Sequence, residues 1–303
     1  MWPLVYLAES GTWGIMNVEE FPTGELMPLS TLVARVLAPN PSPFTFTGTQ
    51  TYVVGKADVA VIDPGPADPA HLDTLLRIID DRPVRAILCT HTHRDHSPAS
   101  GPLAKATGAS VIGCAPLVLD DDGPRADAAF DPDYAPDRIL IDDEAIWGDG
   151  WTLAAVATPG HTSNHLCFAL HEEKALFTGD HVMGWSTSVI SPPDGDMAAY
   201  MASMQKLLGR DDVVYYPAHG DPVENPQRWV RSMMGHRKHR EGQILRHLRA
   251  HDAASIPEMV EKMYKGVDPR LHGAAGRSVL AHLIDLEARQ MVICEKDRWK
   301  IAA

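Results

Sequence analysis

The sequence predicts a mixed α/β domain followed by a smaller module of winged-helix order. Two observations lead there. From about Thr51 to His219, short β-branched or apolar runs alternate with helical patterns. After Asn225 the pattern becomes three helices and a terminal hairpin, so a boundary is placed at residue 225, with domains 1–225 and 226–303. Charge supports the division: residues 226–303 carry a net +6, leaving −19 of the chain's −13 for residues 1–225.

In the first domain the strands are read at Thr51–Val54, Ala60–Ile62, Arg85–Thr90, Val111–Cys114, Leu153–Ala157, Leu166–Leu170, Ala175–Thr178 and Val213–Tyr216. Helices are read at Ala70–Asp80, Ala99–Thr107 and Asp196–Leu208, the last from Met197, Tyr200, Met201, Met204 and Leu207 at helical spacing. Asp120–Asp143, rich in Asp and Pro, reads as an exposed loop. In the second domain a long helix spans Pro226–His251, with proline suited to its first turn. Shorter helices follow at Ile256–Tyr264 and Ala274–Arg289, and then a hairpin from MVIC and RWKI.

With 303 residues and 45% hydrophobic side chains, the chain can bury a substantial core. It contains no run of the roughly 18 to 20 apolar residues that a membrane span needs. Met1–Leu7 is apolar but unaccompanied by basic residues, the first being Arg35, so no signal or transit peptide is expected and the expected location is cytoplasmic. Cys89, Cys114, Cys167 and Cys294 form no CxxC pair and read as buried free thiols.

The chemistry is concentrated in His91-Thr92-His93-Arg94-Asp95-His96, directly after an apolar strand. Three imidazoles and a carboxylate at a buried strand exit are costly to desolvate unless a cation coordinates them. Three further candidates each follow a strand of their own: His161 in TPGH, Asp180 in TGD and His219 in PAHG. If those strands share a sheet, seven nitrogen and oxygen ligands converge on one edge. Seven exceed the needs of one tetrahedral ion, whereas two divalent ions sharing a carboxylate fit; with no cysteine present, zinc is favoured, iron and manganese being alternatives. His71, His171, His236, His239, His247 and His251 read as ordinary core or surface histidines, and His165 and His181 as supporting neighbours of the ligand loops.

HTHRDH, TPGH, TGD and PAHG, in this order and spacing, resemble the metallo-β-lactamase superfamily over residues 47–220. The resemblance implies a four-layer αββα sandwich with metals at one edge. It implies that His91, His93 and His161 hold the first ion, that Asp95, His96 and His219 hold the second, and that Asp180 bridges them. Asp63 in VIDPG matches a supporting aspartate. The segments FTGTQTYVVG and SVISPPDGDMAAYMASMQKL, with SVLAHL in the terminal module, resemble the β-lactamase-like protein 2 group, whose members carry a winged helix and include single-strand-selective endoribonucleases. Gln50 and Trp185-Ser186-Thr187 depart from that group's pattern.

The expected function is therefore dinuclear metal-dependent hydrolysis with a metal-activated hydroxide as nucleophile. Asp180 would orient the ions, and Asp95 would bind the second and accept a hydrogen bond from the water; no Ser97 or Cys89 nucleophile is needed. Single-stranded RNA is one expected substrate, with Lys296, Arg298, Lys300, Arg237, Lys238 and Arg240 as phosphate contacts. The competing class is a small-molecule ester, lactone, thioester or β-lactam, which suits the acidic first domain better. A winged-helix DNA-binding regulator with a metal-sensing domain is a third reading, poorly supplied with cations by Arg277 and Arg289 alone. The basic module could equally serve a homodimer contact.

Overall fold

The computed structural model describes residues 22–118, 130–266 and 272–302, with the backbone of a short antiparallel pair, β1 (Val5–Leu7) and β2 (Trp13–Ile15). The chain forms two compact units: residues 1–158, 164–188 and 211–226 make the first, and residues 159–163, 189–210 and 227–303 the second.

The first unit is built on two sheets. One has seven strands in chain order: β3 (Leu26–Pro28), β4 (Val33–Leu37), β5 (Gln50–Val54), β6 (Val59–Ile62), β7 (Val84–Cys89), β8 (Val111–Gly113) and β9 (Arg138–Ile139). Pairing is antiparallel from β3 to β6 and parallel from β6 to β9. Parallel neighbours require crossover connections, and α1 (Pro69–Ile79) and α2 (Ser100–Thr107) supply the first two. The other sheet orders β10 (Ala145–Gly148), β11 (Trp151–Ala157), β12 (Leu166–Leu170), β13 (Ala175–Gly179) and β14 (Val214–Pro217), antiparallel except for the parallel pair β13 and β14.

Side-chain alternation assigns each strand's two faces to two cores. Tyr52, Ile62 and Leu88 point into the layer between the sheets, where they join Trp151, Leu153, Phe168 and Phe177. Val53, Val61 and Ile87 point the other way, into a core with Leu75 and Ile79 of α1 and Leu103 of α2. Burial on both faces explains why these strands read as continuous apolar runs.

One polar anchor sits within this packing. Asp58 is buried, its Oδ1 accepting from the Trp151 indole and the Asp149 amide, both at 2.9 Å, and its Oδ2 from Arg85. Burial pushes this carboxyl up, but the Arg85, Asp149 and Trp151 donors outweigh it and hold it below the usual carboxylate range. A depressed carboxylate adds stability that is present above its unfolded pKa and lost as pH falls through the folded one. Asp58→Asn is expected to cost about 1–3 kcal/mol at neutral pH. In urea titrations the gap to wild type should narrow below about pH 4; a gap independent of pH would refute the charge-based account.

The second unit contains α3 (Met197–Leu208), α4 (Pro226–Arg249), α5 (Ile256–Met263), α6 (His272–Ala288) and the hairpin β15 (Val292–Glu295) and β16 (Arg298–Ile301). Ile244, Leu248, Val260, Val279, Leu283 and Trp299 share its core. Ser255 and Glu258 form a capping box at the start of α5, and a bridge between Ala254 and Trp299 ties the residue before that cap to the hairpin.

Several sequence expectations need correction. β3, β4 and β10 were not anticipated: Arg35 interrupts the VARVL run of β4, yet its side chain is buried against Gln50, 2.9 Å from Oε1. The Asp/Pro-rich stretch 120–143 is not simply a loop. Residues 119–129 lie outside the described residues, but beyond them Tyr134 is buried and β9 extends the sheet. Cys89, Cys114 and Cys167 are buried free thiols, whereas Cys294 is exposed, because burial along β15 fades from Val292 towards its C-terminal half.

Candidate metal centre

In the five-stranded sheet, β11, β13 and β14 run in one direction, since β12 is antiparallel to both its neighbours. Their C-terminal ends therefore lie at one edge, where Asp180 and His219 directly follow β13 and β14. In the facing sheet, parallel β6 and β7 end at Asp63 and at the run His91–His96. The fold thus delivers donors from separate strands to one rim of the first unit.

Within that unit, His91, His93 and Asp180 offer ligand atoms within 4.8 Å of one another, as do Asp95, His96 and His219. Asp180 reaches the second trio as well: its Oδ1 is 3.1 Å from His219 Nε2 and 3.6 Å from His96 Nε2. Asp95 Oδ2 lies 3.2 and 3.3 Å from the same two nitrogens. His161 stands on the turn 159–163 of the second unit, its Nδ1 2.6 Å from the Val189 carbonyl.

In His91, His96 and His219 the far ring nitrogen is held by oxygen. His96 Nδ1 is 3.0 Å from Asp63 Oδ2, and His219 Nδ1 is 3.1 Å from the Gly48 carbonyl. Thr90 Oγ1 donates to Asp63 at 2.8 Å, so its own oxygen accepts from His91 Nδ1 at 3.0 Å. These contacts fix a proton on Nδ1 and turn Nε2 inward, where it can ligate a cation once its own proton is lost. His91 Nε2 and His93 Nδ1 then face each other at 2.9 Å, and the buried His96 Nε2 faces the Asp95 and Asp180 carboxylates.

The electrostatics require positive charge at this point. Burial pushes the Asp95 and Asp180 carboxyls up, but His96 and His219 outweigh it and hold both well below the usual range. Burial lowers the His219 imidazole, yet Asp180 and Asp95 raise it to about 10; His96 is raised for the same reason. A divalent cation supplies the required charge while using the inward lone pairs as ligands, so the donor set fits metal ions.

Two threonines of the site were not singled out from sequence. Thr49 Oγ1 donates to Asp95 Oδ2 at 3.1 Å, and Thr90 links Asp63 to His91; threonines beside apolar strands carry no pattern that reveals such roles. Gln50 accepts from Arg35 and Tyr52 and donates to the Gly220 carbonyl, which ties β5 to the His219 turn. His165 and His181 join neither ligand group; the His165 ring lies against His91, centroids 5.1 Å apart, with its Nδ1 2.9 Å from Thr158 Oγ1. Gly179, at φ +49°, leaves no room for a side chain, since a Cβ would stand 2.7 Å from both His165 Nε2 and Thr90 Oγ1.

Residues 44–219, more than half of the chain, match the metallo-beta-lactamase superfamily. The chain belongs to that superfamily. In this metallo-beta-lactamase superfamily hydrolase, residues 255–299 further match the beta-lactamase associated winged helix domain. A Caenorhabditis elegans beta-lactamase-like protein 2 homolog is 31% identical over 243 residues, 78% of this chain and 77% of the relative. An atrochrysone carboxyl ACP thioesterase of Aspergillus fumigatus is 30% identical over 250 residues, 78% of this chain and 74% of the relative. Among solved structures, a beta-lactamase domain protein from Burkholderia ambifaria superposes with a TM-score of 0.77 at 19% identity, covering 92% of this chain and 94% of that one. At that identity the likeness concerns the fold, and it bears out the metallo-β-lactamase architecture and terminal winged helix expected from the sequence. Among the described residues no helix is long and apolar enough to cross a membrane.

Proposed function

We propose that the protein is a two-metal acyl hydrolase whose substrate is a small thioester, with lactones as the nearest alternative. The observation that carries the two-metal reading is the position of Asp180, close to both donor trios at once. His91, His93 and His161 would hold one ion, Asp95, His96 and His219 the other, and Asp180 would bridge them. Bound there, divalent ions supply the Lewis acidity that polarises an acyl oxygen and brings the pKa of water towards neutrality. Zinc suits the nitrogen and oxygen donors best.

The chain's own residues orient this machinery. Asp63, Gly48 and Thr90 hold the imidazole tautomers, while Thr49 directs Asp95. A thiol nucleophile is disfavoured: burial pushes the Cys89 thiol well up and the Cys114 thiol up to about 12.

The thioester assignment draws on the relative named as an ACP thioesterase and on the net −19 of residues 1–225, which disfavours a polyanionic substrate. Single-stranded RNA gains no comparable support. Arg298 pairs with Glu258, Lys300 with Glu295 at 2.8 Å, and Arg237 is buried beside Tyr200, so three of the cations expected to meet phosphate are engaged elsewhere. Nor is the regulator reading favoured, since Arg289, directly after α6, pairs with Glu241 and Asp285.

The test is a panel of an acyl-carrier thioester, a homoserine lactone, a β-lactam and a single-stranded RNA, each assayed with and without a chelator. The thioester is expected to show the highest kcat/KM, to be lost on chelation and to return with Zn2+. RNA as the best substrate, or chelator-resistant turnover, would contradict the proposal.

A further inference from the structure

His71, fully buried on the inner face of α1, belongs to neither ligand trio and has no part in the chemistry above. Its surroundings are nevertheless specific. Its Nε2 lies 3.0 Å from Thr51 Oγ1, and that hydroxyl donates to the Asp63 backbone carbonyl at 2.8 Å. The hydroxyl proton is thereby committed to Asp63, so Thr51 accepts from the imidazole N–H. A Cβ on Gly65 would stand 3.1 Å from its Cδ2 and Nε2. His71 therefore underlies the turn at Asp63, through Thr51, and at Gly65.

Those residues form the turn that holds His96. Asp63 contacts His96 Nδ1 through its carboxylate, and the Gly65 amide donates to the His96 carbonyl at 2.9 Å. Asp63 adopts this position at φ +49°, in the left-handed region that a residue other than glycine occupies at a cost, so surrounding contacts must enforce it. The start of α1 is itself fixed, since Asp68 caps it by accepting from the Ala70 and His71 amides at 2.8 and 3.0 Å.

We infer that His71 is a positioning residue for the metal centre, acting through Thr51 to hold the Asp63 turn in the geometry that presents His96. The inference rests on the metal-centre reading above. Outer partners of metal ligands typically change metal affinity by about 10- to 100-fold when removed. His71 stands one step further out, and the lower part of that range is expected.

Zn2+ affinity, read by competition with a chromogenic chelator, tests this together with thermal stability. His71→Leu and Thr51→Val are each expected to weaken Zn2+ binding about tenfold. Because both break one chain of contacts, the double variant is expected to lose little more than either single one. His71→Gln, whose amide can still donate to Thr51, is expected to recover most of the affinity. Leu75→Ala, on the same buried face of α1, should destabilise the fold while leaving Zn2+ affinity unchanged. If His71→Leu does not fold, Thr51→Val carries the measurement, since it removes a hydroxyl at nearly constant volume. Wild-type protein that binds no Zn2+ would overturn the metal-centre reading and this inference with it. Tight wild-type binding with affinities unchanged in the variants, or an equal loss in Leu75→Ala, would overturn this inference alone.

Discussion

Replacing Asp180 with asparagine is expected to lower both bound metal and turnover by more than the roughly 10- to 100-fold that loss of an outer-shell partner costs. The carboxylate belongs to one donor trio and also approaches the other, and the substitution keeps its shape while removing its charge. The remaining donors then have less negative charge with which to retain two cations. Folding should be largely preserved, because Asp180 Oδ1 faces the His96 and His219 rings rather than the hydrophobic core. Elemental analysis and thioester turnover on the same preparation would decide. Full metal content with a near-normal rate would exclude a bridging role.

The second large effect is on stability. Trp151→Ala is expected to cost about 3–5 kcal/mol, the range for truncating a large buried aromatic side chain. Trp151 is 1% exposed within the core between the sheets, and its indole donates to Asp58. Truncation therefore opens a cavity and also strips a buried carboxylate of a donor. Gly55 and Gly148 lie so close to the indole that a Cβ on either would overlap it, so the backbone is shaped to this side chain. Trp151→Phe, which keeps most of the ring, should lose less. Urea midpoints at unchanged slope would measure both; a loss below about 1 kcal/mol for the alanine variant would show that the site relaxes around the cavity.

The metal centre was legible because it depends on residue types with few other reasons to cluster. Histidines and aspartates at the ends of buried strands announce themselves, and the strands were readable from apolar runs at Arg85–Thr90 and Leu153–Ala157, observed at Val84–Cys89 and Trp151–Ala157. What lay hidden was held by ordinary residues. Thr49, Thr51 and Thr90 look like strand-formers, and only the pairing of β5, β6 and β7 shows which hydroxyl meets Asp95, Asp63 or His91. β4 escaped notice because Arg35 looks like a surface residue until Gln50, from the neighbouring strand, is placed beside it. The basic residues of the terminal module present the opposite case. They are conspicuous in sequence, but Arg298 and Lys300 are paired with glutamates, which composition cannot show.

Gly179 gives the centre a mechanical property. Its missing side chain is where the end of a strand in one sheet passes within van der Waals reach of Thr90, at the exit of a strand in the other. Aspartate and histidine donors leave from these two facing exits, so the width of the sandwich sets the spacing between them. Swelling of the layer between the sheets, by heat or by an oversized core residue, would pull the donors apart while every strand was still paired. Metal release would then precede unfolding and serve as a gauge of how tightly the two sheets are clasped.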